Sequence, residues 1–217
     1  SNVLGVINPV KKLIAMAKDV GAVTLIDGAQ AVPHFAVDMC DLECDFYTFS
    51  GHKMLAPTGI GVLYGRLLCL EDLPPFRGGG NMIFQVNEQS SSWNVVPSKF
   101  EAGTPHIAGV IGLGAAIEFL ETLDRPYLMQ EEKRLSRLVQ DELKKDPEVK
   151  LFSHHGEDSI GTIAFAHKQI HPHDMASICD SHNVCIRAGH HCAQLLMGAL
   201  ETPALSRVSF YLYNNEA

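Results

Sequence analysis

A lysine that closes an apolar run is the first chemical signal in this sequence. Asp45-Phe46-Tyr47-Thr48-Phe49 reads as a strand, and Ser50-Gly51-His52-Lys53 follows it directly. Most lysines lie on solvated helix faces, but Lys53 stands between a histidine and the apolar pair Met54-Leu55, where desolvation favours an uncharged, nucleophilic amine. Schiff-base chemistry is the use for such an amine. A second loaded segment, Asp27-Gly28-Ala29-Gln30, follows the apolar run 22–26, and Asn2 follows what reads as the end of a further strand. In an open α/β sheet, ligands collect at the carboxyl ends of parallel strands. A carboxylate, an amide, a hydroxyl, an imidazole and an amine are therefore expected along one edge.

Pyridoxal phosphate needs those groups: a lysine for its aldehyde, a carboxylate to keep the ring nitrogen protonated, a donor for the phenolic oxygen, and hydroxyl or backbone donors for the phosphate. Asp27 suits the ring nitrogen and Gln30 the phenolic oxygen. Taken singly, Asp27 is equally a turn cap and Lys53 a surface lysine; their joint placement at successive strand ends points to the cofactor. Further along, Cys192 lies two residues beyond His190 in a glycine-containing loop, where a thiolate can act as a nucleophile. Alone it equally fits a small buried hydrophobe. His190 and His191 either tune that sulfur or are solvated polar residues. Arg207 interrupts an apolar strand, a setting that arginine enters for a specific pairing.

The elements that must position these residues divide near residue 124. In 1–124, Asn8-Pro9 starts a helix with Val10, Leu13, Ile14 and Ala17 at helical spacing, and Gly21 stops it. Apolar runs at 22–26, 45–49 and 59–64 read as strands of a mostly parallel sheet. Residues 73–105, with Pro74-Pro75 and Gly78-Gly79-Gly80, form an excursion or hairpin, and 107–123 is a Gly- and Ala-rich helix. After Pro126 an amphipathic helix carries Leu135, Leu138, Val139 and Leu143 on one face. In 125–217, strands at 149–152, 160–166, 184–187 and 205–213 and a helix at about 174–182 make a small α+β domain. Cys179 and Cys185 are expected in its core. Both chain ends read as cut, with a strand missing before Ser1 and a closing helix missing after Asn214-Asn215-Glu216-Ala217.

Bulk properties narrow the function classes. With 217 residues, 46% hydrophobic and 19% charged, the chain can bury a real core. A formal charge of -8 and the lack of a basic run oppose nucleic-acid binding. No apolar stretch suits a bilayer and no signal-peptide layout is present, so a cytoplasmic protein is expected. Six cysteines at irregular spacings, without a Cys-x2-Cys pair, read as free thiols and not as a metal site.

Taken in order, Asp27-Gly28-Ala29-Gln30, Ser50-Gly51-His52-Lys53, Pro57-Thr58-Gly59-Ile60-Gly61, Gly78-Gly79-Gly80, Phe100-Glu101-Ala102-Gly103-Thr104-Pro105 and Arg187-Ala188-Gly189-His190-His191-Cys192-Ala193 resemble the fold-type I, class V aminotransferase family. Within it they resemble the Suf-type (group II) cysteine desulfurases. The resemblance implies an α/β chain holding the C-terminal part of a fold-type I large domain, with a mostly parallel sheet and flanking helices, plus a small α+β domain. It implies that Lys53 bonds pyridoxal 5'-phosphate, that Asp27 and Gln30 contact its ring, and that Ser50 and His52 contact its phosphate. Thr104 would offer a phosphate contact to the other subunit of a homodimer. Asn2, Arg187 and Arg207 would hold the substrate carboxylate, and Cys192 would take sulfur from L-cysteine as a persulfide, leaving alanine. The short 192–207 loop implies transfer to a SufE- or SufU-like acceptor for iron–sulfur cluster assembly. L-selenocysteine lyase chemistry, a class V transaminase or lyase that uses Lys53 without Cys192, and a cofactor-free truncated relic are the alternatives.

Overall fold

Thr24 and Asp45 tie two neighbouring strands together at their amino ends. Thr24 N and Oγ1 donate to Asp45 Oδ2 at 2.8 and 2.9 Å, and Asp45 N donates back to Thr24 Oγ1 at 3.0 Å. The strands are β1 (Leu25–Asp27) and β2 (Phe46–Ser50), paired parallel with Asp27 opposite Thr48. With their starts fastened, both carboxyl ends emerge side by side. The structure, a computed structural model, describes residues 1–153 and 156–216. It falls into two compact units, 9–123 and a second made of 1–8 with 124–216.

In the first unit, α1 (Val10–Asp19) is capped by Pro9, with no side-chain cap. The Asn8 cap expected from sequence is therefore not made. At its other end Gly21 takes a φ of 72°, and Ala22 N and Gly21 N bond the carbonyls of Ala17 and Lys18. This is the Schellman arrangement that a left-handed glycine permits. Ile14 of α1 packs with Leu42 of α2 (Met39–Leu42), Cys44 and Tyr47 of β2. β3 (Gly61–Gly65) pairs antiparallel to β2, giving the order β1-β2-β3. The third strand is the antiparallel member of the sheet read as mostly parallel. Only residues 51–60 join β2 to β3, too few for a crossover and enough for a hairpin-like return.

After α3 (Leu67–Asp72), the excursion contains a hairpin of β4 (Ile83–Val86) and β5 (Ser91–Trp93). Gly103 N bonds Gly80 O at 2.8 Å, and a Cβ on Gly79 would stand 3.1 Å from Ala102. The glycine run therefore lets the chain pass close beneath the segment leading to Thr104. α4 (Ile107–Glu121) follows; a Cβ on its Gly112 would lie 2.5 Å from Pro57 Cγ, so glycine allows this helix to approach the segment just beyond Lys53.

In the second unit, Asp124 Oδ1 accepts from Tyr127 N at 3.1 Å and starts α5 (Arg125–Leu143), with Pro126 in its first turn. The buried side of α5 includes Leu135 together with Glu132, Ser136 and Gln140, whereas Leu138 is exposed. The strands β6 (Val149–Leu151), β7 (Thr162–His167), β8 (Arg187–Gly189) and β9 (Leu205–Ser209) form an antiparallel sheet in the order β6-β7-β9-β8. α6 (Pro172–Ser181) precedes β8, and α7 (Gln194–Ala199) lies between β8 and β9. Residues 1–8 group here and not with 9–123 because Val3 is buried among Ala164, Met197 and Leu205, and Val6 bridges Ser159. No helix among the described residues is long and apolar enough to cross a membrane.

Candidate active site

Two groups of functional side chains are built, one in each unit. In the first, Asp27 ends β1 and Ser50 ends β2, on neighbouring strands, and Gly28 N donates to Thr48 O at 2.8 Å to hold the two ends together. Gln30 sits in the turn that follows. Gly28 is forced by its neighbour: a Cβ there would overlap Oη, Cζ and Cε1 of Tyr47. Tyr47 is only 2% exposed, and burial pushes its phenol up to about 12. The ring is thus a neutral floor beneath the turn that carries Asp27 and Gln30. Asp27 Oδ1 accepts from Ala29 N at 2.9 Å, which fixes the carboxylate's orientation.

Lys53 departs from expectation. It is exposed, in a 3₁₀ turn at Gly51–Met54 whose buried residues are Gly51 and Met54. Residues three apart eclipse in such a turn, so burying 51 and 54 turns His52 and Lys53 outward. Of the apolar pair after Lys53 only Met54 is buried; Leu55, at a φ of 70°, ends the turn and is exposed. The Lys53 amine makes no hydrogen bond or ion pair among the described residues. Thr104 is exposed in the segment entering α4.

The second group is tighter. Arg187 of β8 and Arg207 of β9 are register partners in antiparallel strands, so two cations stand on one face directly opposite each other. Like charges so placed repel, and no carboxylate reaches ion-pair distance of either among the described residues. Arg207 Nη1 donates to Asn2 O at 2.9 Å, while its buried Nε has no partner. Burial first, and Arg187 second, hold the Arg207 guanidinium below its ordinary range. Paired cations with an open, buried donor are suited to a carboxylate.

Arg187 Nη2 also donates to Cys192 Sγ at 3.5 Å, and Cys192 is exposed. The sulfur and the guanidinium line one cleft of about 450 Å³ with His190, His191 and Gln194. All six cysteines are free thiols. The expectation of core positions for Cys179 and Cys185 is corrected: Cys179 is half-buried and Cys185 exposed. The strand read at 184–187 begins only at Arg187, so Cys185 precedes the sheet.

Sequence reasoning left the two histidines alike, and the structure separates them. His190 is exposed; His191 is 2% exposed. His191 Nε2 lies 2.9 Å from Leu205 O, which can only accept, so Nε2 carries the hydrogen. Asn2 Nδ2 donates to His191 O at 2.7 Å. His191 and Cys192 have φ values of 54° and 60°, consecutive left-handed conformations that cost about 1–2 kcal/mol each without glycine. Tyr47 and Leu205 are the contributors that no local sequence pattern marked.

Residues 1–217 match the family described as Aminotransferase class-V. The chain is 47% identical over its whole length to a probable cysteine desulfurase of Halalkalibacterium halodurans, covering 53% of that protein. It is 44% identical over 99% of its length to a cysteine desulfurase of Salmonella typhimurium, covering 52% of it. Among solved structures, cysteine desulfurase CsdA (S-sulfonic acid) from Escherichia coli superposes with a TM-score of 0.95 at 40% identity, over 100% of this chain and 53% of that one. The apo cysteine desulfurase of Thermococcus onnurineus NA1 gives the same TM-score of 0.95 at 38% identity, over 100% of this chain and 54% of the other. The chain thus spans about half the length of the curated relatives it matches.

Proposed function

The chain belongs to the class V aminotransferase family, and on that footing we propose that it carries the lysine and the cysteine of a pyridoxal-phosphate-dependent cysteine desulfurase. The observation that carries this reading is the register pair Arg187 and Arg207, two cations without a carboxylate among the described residues, one of them in contact with Cys192 Sγ. An amino acid's α-carboxylate fits between the guanidiniums, and a substrate sulfur then comes within reach of Cys192.

The donor set suits the cofactor. Lys53 offers an amine with no competing partner, Asp27 a carboxylate for the ring nitrogen, Gln30 a group for the phenolic oxygen, and Ser50 and His52 donors for the phosphate. When bound, pyridoxal phosphate supplies an electron sink for the substrate α-carbon. Lys53 would hold the cofactor at its aldehyde, and the same Nζ would take the substrate α-proton. Cys192 attacks the substrate sulfur: an S–S bond forms as the carbon–sulfur bond breaks, the electron pair stays on the carbon side, and protonation there gives alanine. The persulfide on Cys192 is exposed for handing to a SufE- or SufU-like acceptor that feeds iron–sulfur cluster assembly. Exposed Phe76, Phe84, Val86 and Val95, in the segment that leads to Thr104, support a homodimer in which Thr104 serves the partner's cofactor.

The test supplies L-cysteine and measures alanine, protein-bound sulfane sulfur and the cofactor's visible band. Cys192→Ser is expected to abolish alanine and persulfide formation and keep the band; Lys53→Ala is expected to lose both. Retained alanine formation in Cys192→Ser, or release of a 2-oxo acid in place of alanine, overturns the assignment.

A further inference from the structure

Cys192 is displayed on backbone that its own sequence does not favour. His191 and Cys192 both lie at positive φ, and neither is glycine or asparagine. Such a pair persists only where surrounding structure over-determines it. Three ties do so. His191 Nε2–H bonds Leu205 O at 2.9 Å, Asn2 Nδ2 bonds His191 O at 2.7 Å, and Ala193 N bonds His190 O at 2.9 Å.

The anchors at the far ends of these ties are rigid. Leu205 has no exposed surface and pairs with Gly189 in the β8–β9 register, two residues before Arg207. Val3, next to Asn2, is buried in the cluster with Leu205, Ala164 and Met197. Asn2 O in turn receives Arg207 Nη1. The loop bearing the sulfur is thus fastened to the same two strands that carry Arg187 and Arg207, and His191 is the buried link between them.

We propose that His191 is the positioning residue of Cys192, its imidazole donating to the Leu205 carbonyl and, with Asn2 on its own carbonyl, locking the left-handed turn that sets Cys192 Sγ against Arg187. This rests on the desulfurase reading for its purpose and not for its geometry. His191 touches neither substrate nor cofactor; it acts through the backbone of the next residue. The exposed His190 contributes only its carbonyl, to Ala193 N; its imidazole, which lines the cleft, has no part in the lock.

The experiment compares His191→Gln, His191→Leu and Asn2→Ala with the unmodified protein. Glutamine places an N–H at the reach of Nε2, whereas leucine fills the space without a donor. The rate of Cys192 alkylation by iodoacetamide, read at that cysteine by peptide mass spectrometry without L-cysteine, reports the sulfur's setting independently of desulfurase activity. His191→Gln is expected to react within about 3-fold of the unmodified protein, and His191→Leu about 10-fold more slowly, because Sγ leaves its place beside the Arg187 guanidinium. With L-cysteine, kcat for persulfide formation is expected to fall in parallel in His191→Leu, while KM, governed by the two arginines, moves by less than about 3-fold. Unchanged alkylation in His191→Leu, or equal slowing in leucine and glutamine variants, overturns the proposal. Should His191→Leu fail to fold, Asn2→Ala decides on the same alkylation readout, slowing supporting the lock and an unchanged rate refuting it. Normal alkylation differences in a protein that makes no alanine would reject the desulfurase reading and leave the positioning role standing.

Discussion

Gly28→Ala tests whether the turn bearing Asp27 and Gln30 rests on the Tyr47 ring. Gly28 is not at positive φ, so its backbone accepts alanine and the contact with Tyr47 is the whole objection. The added methyl would overlap three atoms at the hydroxyl end of a ring that is 2% exposed and packed with Ile14, Leu42 and Cys44. Overpacking costs about 1–3 kcal/mol where neighbours can shift, and this ring has little room, so a loss of about 3 kcal/mol is expected. Tyr47→Val alone removes the ring and costs about 3 kcal/mol through lost burial and a cavity. The two together should cost about 2–3 kcal/mol less than their sum, because the valine leaves space for the methyl. Tyr47→Phe should give no such relief, since Cζ and Cε1 remain in the way. Urea unfolding of the three single variants and of the two doubles with Gly28→Ala measures this coupling. Strict additivity in the valine pair, or relief from phenylalanine equal to that from valine, refutes the contact as the reason for glycine.

Acid stability should carry a signature of His191. Burial above all, with Arg207, Arg187 and His190 adding their charges, holds its imidazolium below its ordinary 6.5, outweighing the Leu205 carbonyl that acts the other way. The unfolded chain therefore binds the extra proton first, so His191 contributes stability that is complete above about pH 6.5 and is lost as pH falls through the lowered folded value, with a slope of at most about 1.4 kcal/mol per pH unit. His191→Gln removes the titration and should flatten that part of the profile in urea midpoints; identical profiles would contradict the burial. Asp45→Ala strands the Thr24 N–H and hydroxyl and should cost about 2–3 kcal/mol, while Asp45→Asn keeps one oxygen toward Thr24 and should cost about 1 kcal/mol. Equal losses in denaturant unfolding would shift the weight to Arg66, whose half-exposed side chain contacts the other Asp45 oxygen.

What could be read from sequence was what local pattern encodes. Apolar runs ending in Asp27 and Ser50 marked strand ends, and the two strands are parallel neighbours as that reading requires. The Gly21 stop and the Pro126 start were legible because backbone conformation depends on those residues alone. The direction of β3 is not legible in its composition; the shortness of 51–60 is the feature that requires the antiparallel return. The outward face of Lys53 depended on which residues of a 3₁₀ turn pack inward, a tertiary matter. α7, six residues with Leu195 exposed and Met197 buried, is too short for a helical period to show. His190 and His191 are the same letter twice; only a carbonyl fourteen residues further on distinguishes them.

The two groups of site residues are held by different physics. Around Lys53, Asp27, His52 and Lys53 itself are exposed and Gln30 and Ser50 are half-buried, and of the neighbouring backbone Leu55 is the left-handed non-glycine position. Around Cys192 local rules are broken repeatedly within a few residues: two left-handed non-glycines at about 1–2 kcal/mol each, opposed cations at up to about 1 kcal/mol more, and a buried guanidinium nitrogen without a partner. Departures of this kind concentrate at functional sites and are sustained by stability elsewhere. Here that stability is identifiable, since Val3, Ala164, Met197 and Leu205 are buried together directly behind the strained turn. The same cluster holds residues 1–8 in place, so Asn2, at the far end of the chain from Cys192, becomes part of the cysteine's support. The sulfur end is consequently rigid by construction, and its geometry follows from buried backbone ties and not from the charge of the groups lining the cleft.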